Sequence, residues 1–173
     1  MTTLLAILVH GSFTGIRIGV ASCKAISEVK KIPICPVSSL EGLSQLCSAK
    51  EGLIVSLIDA RNNQAYCGIF NVDYSANVKF FADSIEHIID ILKTKNTKLT
   101  FVGNAAILHK EILKENFPNA IFSQDNNLSA YCIGKAAINK IEKKEICGPD
   151  ELLPHYLRKS QAERMSEAKN GKN

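Results

Sequence analysis

The sequence predicts a layered α/β protein made of two runs of strands and helices in the same order, and three observations lead there. Leu4-Leu5-Ala6-Ile7-Leu8-Val9 is an unbroken apolar run bounded by Gly11, which suits a strand covered by helices on both faces. The same strand-then-glycine pattern returns at Leu99-Thr100-Phe101-Val102-Gly103-Asn104. The chain of 173 residues is 46% hydrophobic and 22% charged, enough apolar material for one sizeable core or two small lobes.

Taken in order, the first strand turns at Gly11 into a helix over Gly15 to Val29, with Ser12 or Thr14 as its cap. Gly15 and Gly19 are one turn apart and share a face, flanked by Ile16, Val20 and Cys23, while Arg17, Ala21, Lys24 and Glu28 form a wetter face. Pro33 follows the helix, and Ile34-Cys35-Pro36-Val37 reads as a short extended piece at a sheet edge. Ser38-Ser39-Leu40-Glu41 is a capping box that opens a helix through Leu43, Leu46 and Cys47.

From Gly52 a second block begins. Leu53 to Ile58 is a buried strand, Asp59 to Gln64 a turn with Asn62-Asn63 suited to positive φ, and Ala65 to Phe70 the returning strand. A turn at Asp73 to Asn77 leads to a third strand at Val78-Lys79-Phe80-Phe81, and Asp83 or Ser84 caps a helix carrying Ile85, Ile88, Ile89 and Leu92. Then come the Leu99 strand, a helix from Ala105 to Glu115, the strand Ala120-Ile121-Phe122 and a helix from Ser129 to Lys143. The first block reads β-α-β-α and the second β-β-β-α-β-α-β-α. The first therefore equals the last four elements of the second, as in a duplication whose first copy lacks three strands and a helix, roughly 60 residues by comparison with the second copy. The expected organisation is a remnant first lobe over 1–50, a complete second lobe over 51–146, and a C-terminal segment with a polar tail over 147–173.

Charge and composition exclude several classes. The net charge is +4, and from Lys140 onward eight Lys/Arg mix with six Asp/Glu, so no basic arm for nucleic acid stands out. No apolar run approaches the roughly 20 residues of a membrane helix, and Met1-Thr2-Thr3-Leu4 lacks a signal peptide's basic flank, which points to the cytoplasm and to no membrane partner. The six cysteines form no C-x-x-C pair and sit in apolar segments, as core residues of a reducing compartment do. His10, His87, His109 and His155 have no metal-binding neighbours at suitable spacing, and no metal site is expected.

Two chemistries compete at the Gly11 junction. Backbone N–H groups of Gly11, Ser12 and Thr14 could cradle phosphate, with Gly103 and Asn104 as a second such turn, although Gly11 and Gly15 enclose three residues and Ile16-Arg17 follow, which breaks the Walker pattern. On that reading the chain is a nucleotide-binding protein or phosphotransferase acting on its own, with Asp59 available as a carboxylate; the competing role for Asp59 is to cap its own turn. The other use of the glycine strip is close helix packing.

Paired β-β-β-α-β-α-β-α units resemble the actin-like ATPase (ribonuclease H-like) fold, in two lobes with the first truncated. Within it, four stretches resemble the TsaB (YeaZ) family of tRNA threonylcarbamoyladenosine biosynthesis proteins: Gly11 to Ala21; Ile32-Pro33 with Val37 to Glu41; Ile58-Asp59-Ala60-Arg61; and Pro154-His155-Tyr156-Leu157-Arg158 with Ser160, Ala162 and Glu163. The chain departs from the family in having Val9-His10 where Gly-Pro is usual, and in lacking the leading three strands and helix, through a real truncation or a misassigned start.

The resemblance implies a non-catalytic scaffold that activates a TsaD-like transferase, the subunit that modifies the adenosine beside the anticodon, with a TsaE-like ATPase joining the assembly. It implies no catalytic residue and no cofactor in this chain, ATP and a metal on the partner subunits, and contact with tRNA only through the complex. Family members pair through helices of the first lobe, which assigns the interface here to Phe13, Gly15, Ile16, Gly19, Val20 and Cys23. An old family label, metalloprotease, finds no ligands. A first strand without its usual neighbours is also expected to favour self-association, a homodimer included.

Overall fold

The computed structural model describes residues 4–8, 13–154 and 156–157, the side chains of 4–8 and of Phe13 excepted. Val9, His10, Gly11, Ser12, His155 and the motif residues from Arg158 onward lie outside the described residues. The elements run β1 (Leu4–Leu8), α1 (Phe13–Lys30), β2 (Ile34–Ser38), α2 (Ser39–Ser44), β3 (Leu53–Asp59), β4 (Gln64–Phe70), β5 (Phe81–Ser84), α3 (Ile85–Lys93), β6 (Leu99–Val102), α4 (Asn104–Leu108), α5 (Lys110–Asn116), β7 (Ile121–Phe122) and α6 (Ala130–Glu142). The β-α-β-α and β-β-β-α-β-α-β-α orders are those the sequence predicts, with the helix after β6 broken in two at His109.

The strands form a parallel pair, β1-β2, and a five-stranded mixed sheet ordered β5-β4-β3-β6-β7. β6 and β7 pair in parallel just as β1 and β2 do, so the shared element order extends to strand direction. The β3-β4 hairpin turns through Arg61, Asn62 and Asn63, all at positive φ. The third strand of the second block is Phe81–Ser84 rather than Val78–Phe81. Its register, Gln64↔Ser84 to Cys67↔Phe81, brings Asp83-Ser84 into the sheet, while Val78 and Phe80 pack from the preceding loop against the hydrophobic core.

The cores explain how the two blocks are joined. On one face of the mixed sheet, Val55, Leu57, Cys67 and Ile69 pack against Ile85, Ile88, Ile89 and Leu92 of α3. On the other, Ile54, Phe70 and Val102 receive Leu40 and Leu43 from α2, a helix of the first block. In return α6, the last helix of the second block, lays Ile133, Ala136 and Ala137 against Cys35 and Val37 of β2. Each block thus covers part of its sheet with the other's helix, and α2 and α6 meet between them.

An ion pair fastens that meeting point. Glu41 closes the α2 capping box, accepting the Ser38 N–H at 2.6 Å through Oε2, while Oε1 accepts from Lys140 Nζ of α6 at 2.8 Å. Both side chains are only 20% exposed, and Glu145 lies 3.5 Å from the same ammonium. Burial pulls the Lys140 pKa down, yet the charge and hydrogen bond of Glu41, with Glu145, lift it above its usual value. Lys140→Met leaves the Glu41 carboxylate half-buried without its main counter-charge. Between the 3–5 kcal/mol typical of fully buried pairs and the near-zero value of exposed ones, we expect a loss of about 2 kcal/mol in urea unfolding. An unchanged midpoint would show that the pair does not hold α2 to α6.

The cysteines behave as core residues. Cys35, Cys47, Cys67 and Cys132 are buried. Burial pushes the Cys47 thiol up to about 11 and raises that of Cys67 further.

Candidate functional site

The helix that the sequence singles out, α1, is held on the molecule by one face. Val20, 6% exposed, packs with Ile34 of β2 and with Leu152, and Ile16 and Cys23 join that cluster from α1. Leu152 belongs to the segment after α6, which crosses the first block. Cys147 bridges to Ile34 by N–H···O bonds of 2.9 and 2.8 Å in both directions. Farther along, the Arg17 Nε–H donates to the Tyr156 hydroxyl at 3.0 Å, with the guanidinium 5.9 Å from that ring's centre, and Leu157 packs on the Leu40–Leu43 cluster. The hydroxyl's bond to the guanidinium, more than its charge, raises the Arg17 pKa. The Tyr156-Leu157 part of the C-terminal motif therefore ties the tail segment to α1 and to α2.

This placement redirects the expected apolar contacts. Ile16, Val20 and Cys23 face the chain's own β2 and Leu152 rather than solvent. The outward side of α1 carries Ile18, Ile26 and Val29, which are 63%, 46% and 78% exposed, on the same side as the exposed Gly15 and Gly19. A Cβ built at Gly19 would touch nothing among the described residues, so no packing among them requires that glycine. Sequence reading missed these three residues, though their spacing of eight and then three positions is a helical signal. Phe13 begins the helix, and Thr14 sits exposed in its first turn rather than at the cap.

The second-block turn offers little to a phosphate. The Gly103 N–H donates to Asn126 Oδ1 at 2.8 Å, and the Asp59 N–H donates to Asn104 Oδ1 at 3.0 Å. Asp59 Oδ1 in turn accepts the Arg61 N–H at 2.8 Å, so the aspartate caps its own hairpin turn, as one of the two readings of the sequence has it. The N–H groups of Gly103 and Asp59 at this turn are thus bonded within the chain. Gly11 and Ser12 lie outside the described residues. Among the described residues, no group of three or more His, Cys, Asp and Glu could hold a metal ion. No helix among the described residues is long and apolar enough to cross a membrane.

A mixed α/β chain with a five-stranded sheet and a partly bare helix in its first block finds clear relatives. A family model described as TsaD, tRNA N6-adenosine threonylcarbamoyltransferase, matches residues 11–166. The tRNA threonylcarbamoyladenosine biosynthesis protein TsaB of Bacillus subtilis is 30% identical over 165 residues, covering 88% of this chain and 68% of that protein. TsaB of Haemophilus influenzae is 25% identical over 153 residues, covering 85% of this chain and 55% of that protein. Among solved structures, a Pseudomonas aeruginosa protein described as similar to peptidase YeaZ superposes with TM-score 0.71 at 19% identity, covering 90% of this chain and 73% of that one. YeaZ of P. aeruginosa does so with TM-score 0.68 at 17% identity, covering 89% and 74%. At such identities the structures establish the shared fold, and the sequence relatives establish the lineage. The chain belongs to the TsaB (YeaZ) family of tRNA threonylcarbamoyladenosine biosynthesis proteins. It spans about two thirds of the length of its Bacillus relative and about half of its Haemophilus one.

Proposed function

We propose that the chain is a cytoplasmic, non-catalytic subunit in the modification of the adenosine beside the tRNA anticodon, and that it docks a TsaD-like transferase through the outer face of α1. The observation that carries the reading is the exposed apolar stripe of Ile18, Ile26 and Val29 beside Gly15 and Gly19, on a helix whose opposite face is anchored by Val20 and Leu152. Bare glycines let a second helix approach closely, and the aliphatic residues beside them supply the buried area that such a contact needs. The family membership supports the choice of partner, and the used donors around Gly103 and Asp59 support a role without a nucleotide of its own. On this reading ATP and the metal belong to the transferase and to a TsaE-like ATPase, and tRNA meets this chain only through the complex.

The test is co-elution. The full chain mixed with the TsaD-like subunit of the same organism should run as one complex in size-exclusion chromatography. Separate elution at micromolar concentrations would overturn the proposed role.

A further inference from the structure

The first block overlays on the last elements of the second, from β6 to α6, with the helix caps Ser38 and Ser129 as the common point. A contact across the overlay supports it. Gly42 of α2 and Ile133 of α6 hold the same place after their caps and face each other, since a Cβ at Gly42 would run into the Ile133 side chain. In the same overlay Leu40, Leu43 and Cys47 fall on Tyr131, Gly134 and Ile138. The two sets have opposite surroundings. Leu40, Leu43 and Cys47 are buried in one cluster with Ile54 of β3, Phe70 of β4 and Val102 of β6. Tyr131 and Ile138 are 73% and 58% exposed, and a Cβ at Gly134 would touch nothing among the described residues.

The neighbouring strand edge is open as well. β6, the counterpart of β1, lies between β7 and β3 and pairs with β3 in parallel, with β4 beyond. β1 pairs with β2 on one side, and no strand among the described residues pairs with its other side. Edge strands of soluble proteins are usually blunted by lysine, proline or a bulge, whereas β1 reads Leu-Leu-Ala-Ile-Leu and pairs in unbroken register. That is the sequence of an interior parallel strand. Ile34 of β2 meets α1, while Cys35 and Val37 meet α6, so the bare side of α6 lies across the β1-β2 pair from α1.

We propose that a β-hairpin of another polypeptide docks here, its nearer strand added in parallel to the β1 edge and its apolar side under Tyr131, Gly134 and Ile138. The overlay selects this occupant, because the place beside β1 is the one that the β3-β4 hairpin holds beside β6. Main-chain hydrogen bonds, with alternate apolar side chains for specificity, are the chemistry by which an open edge takes up a strand. A docked helix would cover Tyr131 and Ile138 but leave the β1 edge unbonded.

The probe is the chain's own hairpin, residues 53–70, displayed at the end of a soluble carrier protein, with the carrier alone as control. Added to the full chain, it should bind saturably at roughly micromolar concentration, and hydrogen–deuterium exchange should slow in residues 4–8 and 131–138. Ile138→Glu, at an exposed position, should leave the urea midpoint in place and weaken that binding by about tenfold or more. No binding, binding that Ile138→Glu leaves unchanged, or protection that spares residues 4–8 would each overturn the proposal. So would a dimer of the chain alone that Ile138→Glu breaks, because a second copy would then be the occupant.

Discussion

Replacing Gly103 with alanine is expected to destabilise the chain by about 3 kcal/mol or more. Gly103 sits at φ +107° and ψ 168°, a region essentially closed to residues with a side chain, and a Cβ there would run into the backbone carbonyl of Leu57. Neither side can give way. Leu57 is fully buried in the central strand, and the Gly103 N–H is fixed by Asn126. The strand-to-helix turn at this point therefore needs glycine for steric reasons alone, with no ligand involved. Gly19→Ala is the matched control, since open space surrounds that position within a helix, and alanine there should gain about 0.5–1 kcal/mol. Urea unfolding of the two variants checks both signs. A Gly103→Ala protein as stable as the parent would mean that the turn relaxes in solution to a conformation other than this one.

The second large effect concerns α1. Ile18→Glu combined with Val29→Glu should weaken the complex with the TsaD-like subunit by about a hundredfold or more, because two apolar contacts are replaced by carboxylates that must be desolvated. The free chain should lose no more than about 0.5 kcal/mol, since both positions are exposed. That combination separates a docking face from a structural one. Loss of binding with an unchanged unfolding midpoint supports the proposal, and unchanged affinity in a titration of the partner opposes it.

Much of the architecture was legible in the sequence because local chemistry dictates it. The Ser38–Glu41 capping box, the cap at Ser84, one of the two residues offered for it, and the asparagine-rich hairpin turn all form where the residue types predict them. The misplaced third strand is a case in which apolarity misled. Val78 and Phe80 are apolar because they fill the core from a loop, while the paired residues Asp83 and Ser84 look polar since they lie at a strand end that also caps α3. The break at His109 has no proline or glycine to announce it.

The candidate site was half legible for a related reason. The glycines mark one side of α1, but Val20 and Ile18 are equally apolar, and helical periodicity does not say which of two apolar stripes turns inward. Leu152, more than a hundred residues away, settles that by covering Val20. The exchange of α2 and α6 between the blocks is likewise a long-range fact that no local pattern carries.

The central claim is that α1 meets the chain's own core on one side and a partner on the other. Hydrogen–deuterium exchange with and without the TsaD-like subunit tests it most directly. The account predicts that complex formation slows exchange in the peptide spanning residues 15–29 while the β3-β4 hairpin and α3 are unaffected. Protection confined to the mixed sheet or α3, with α1 exchanging as in the free chain, would contradict it.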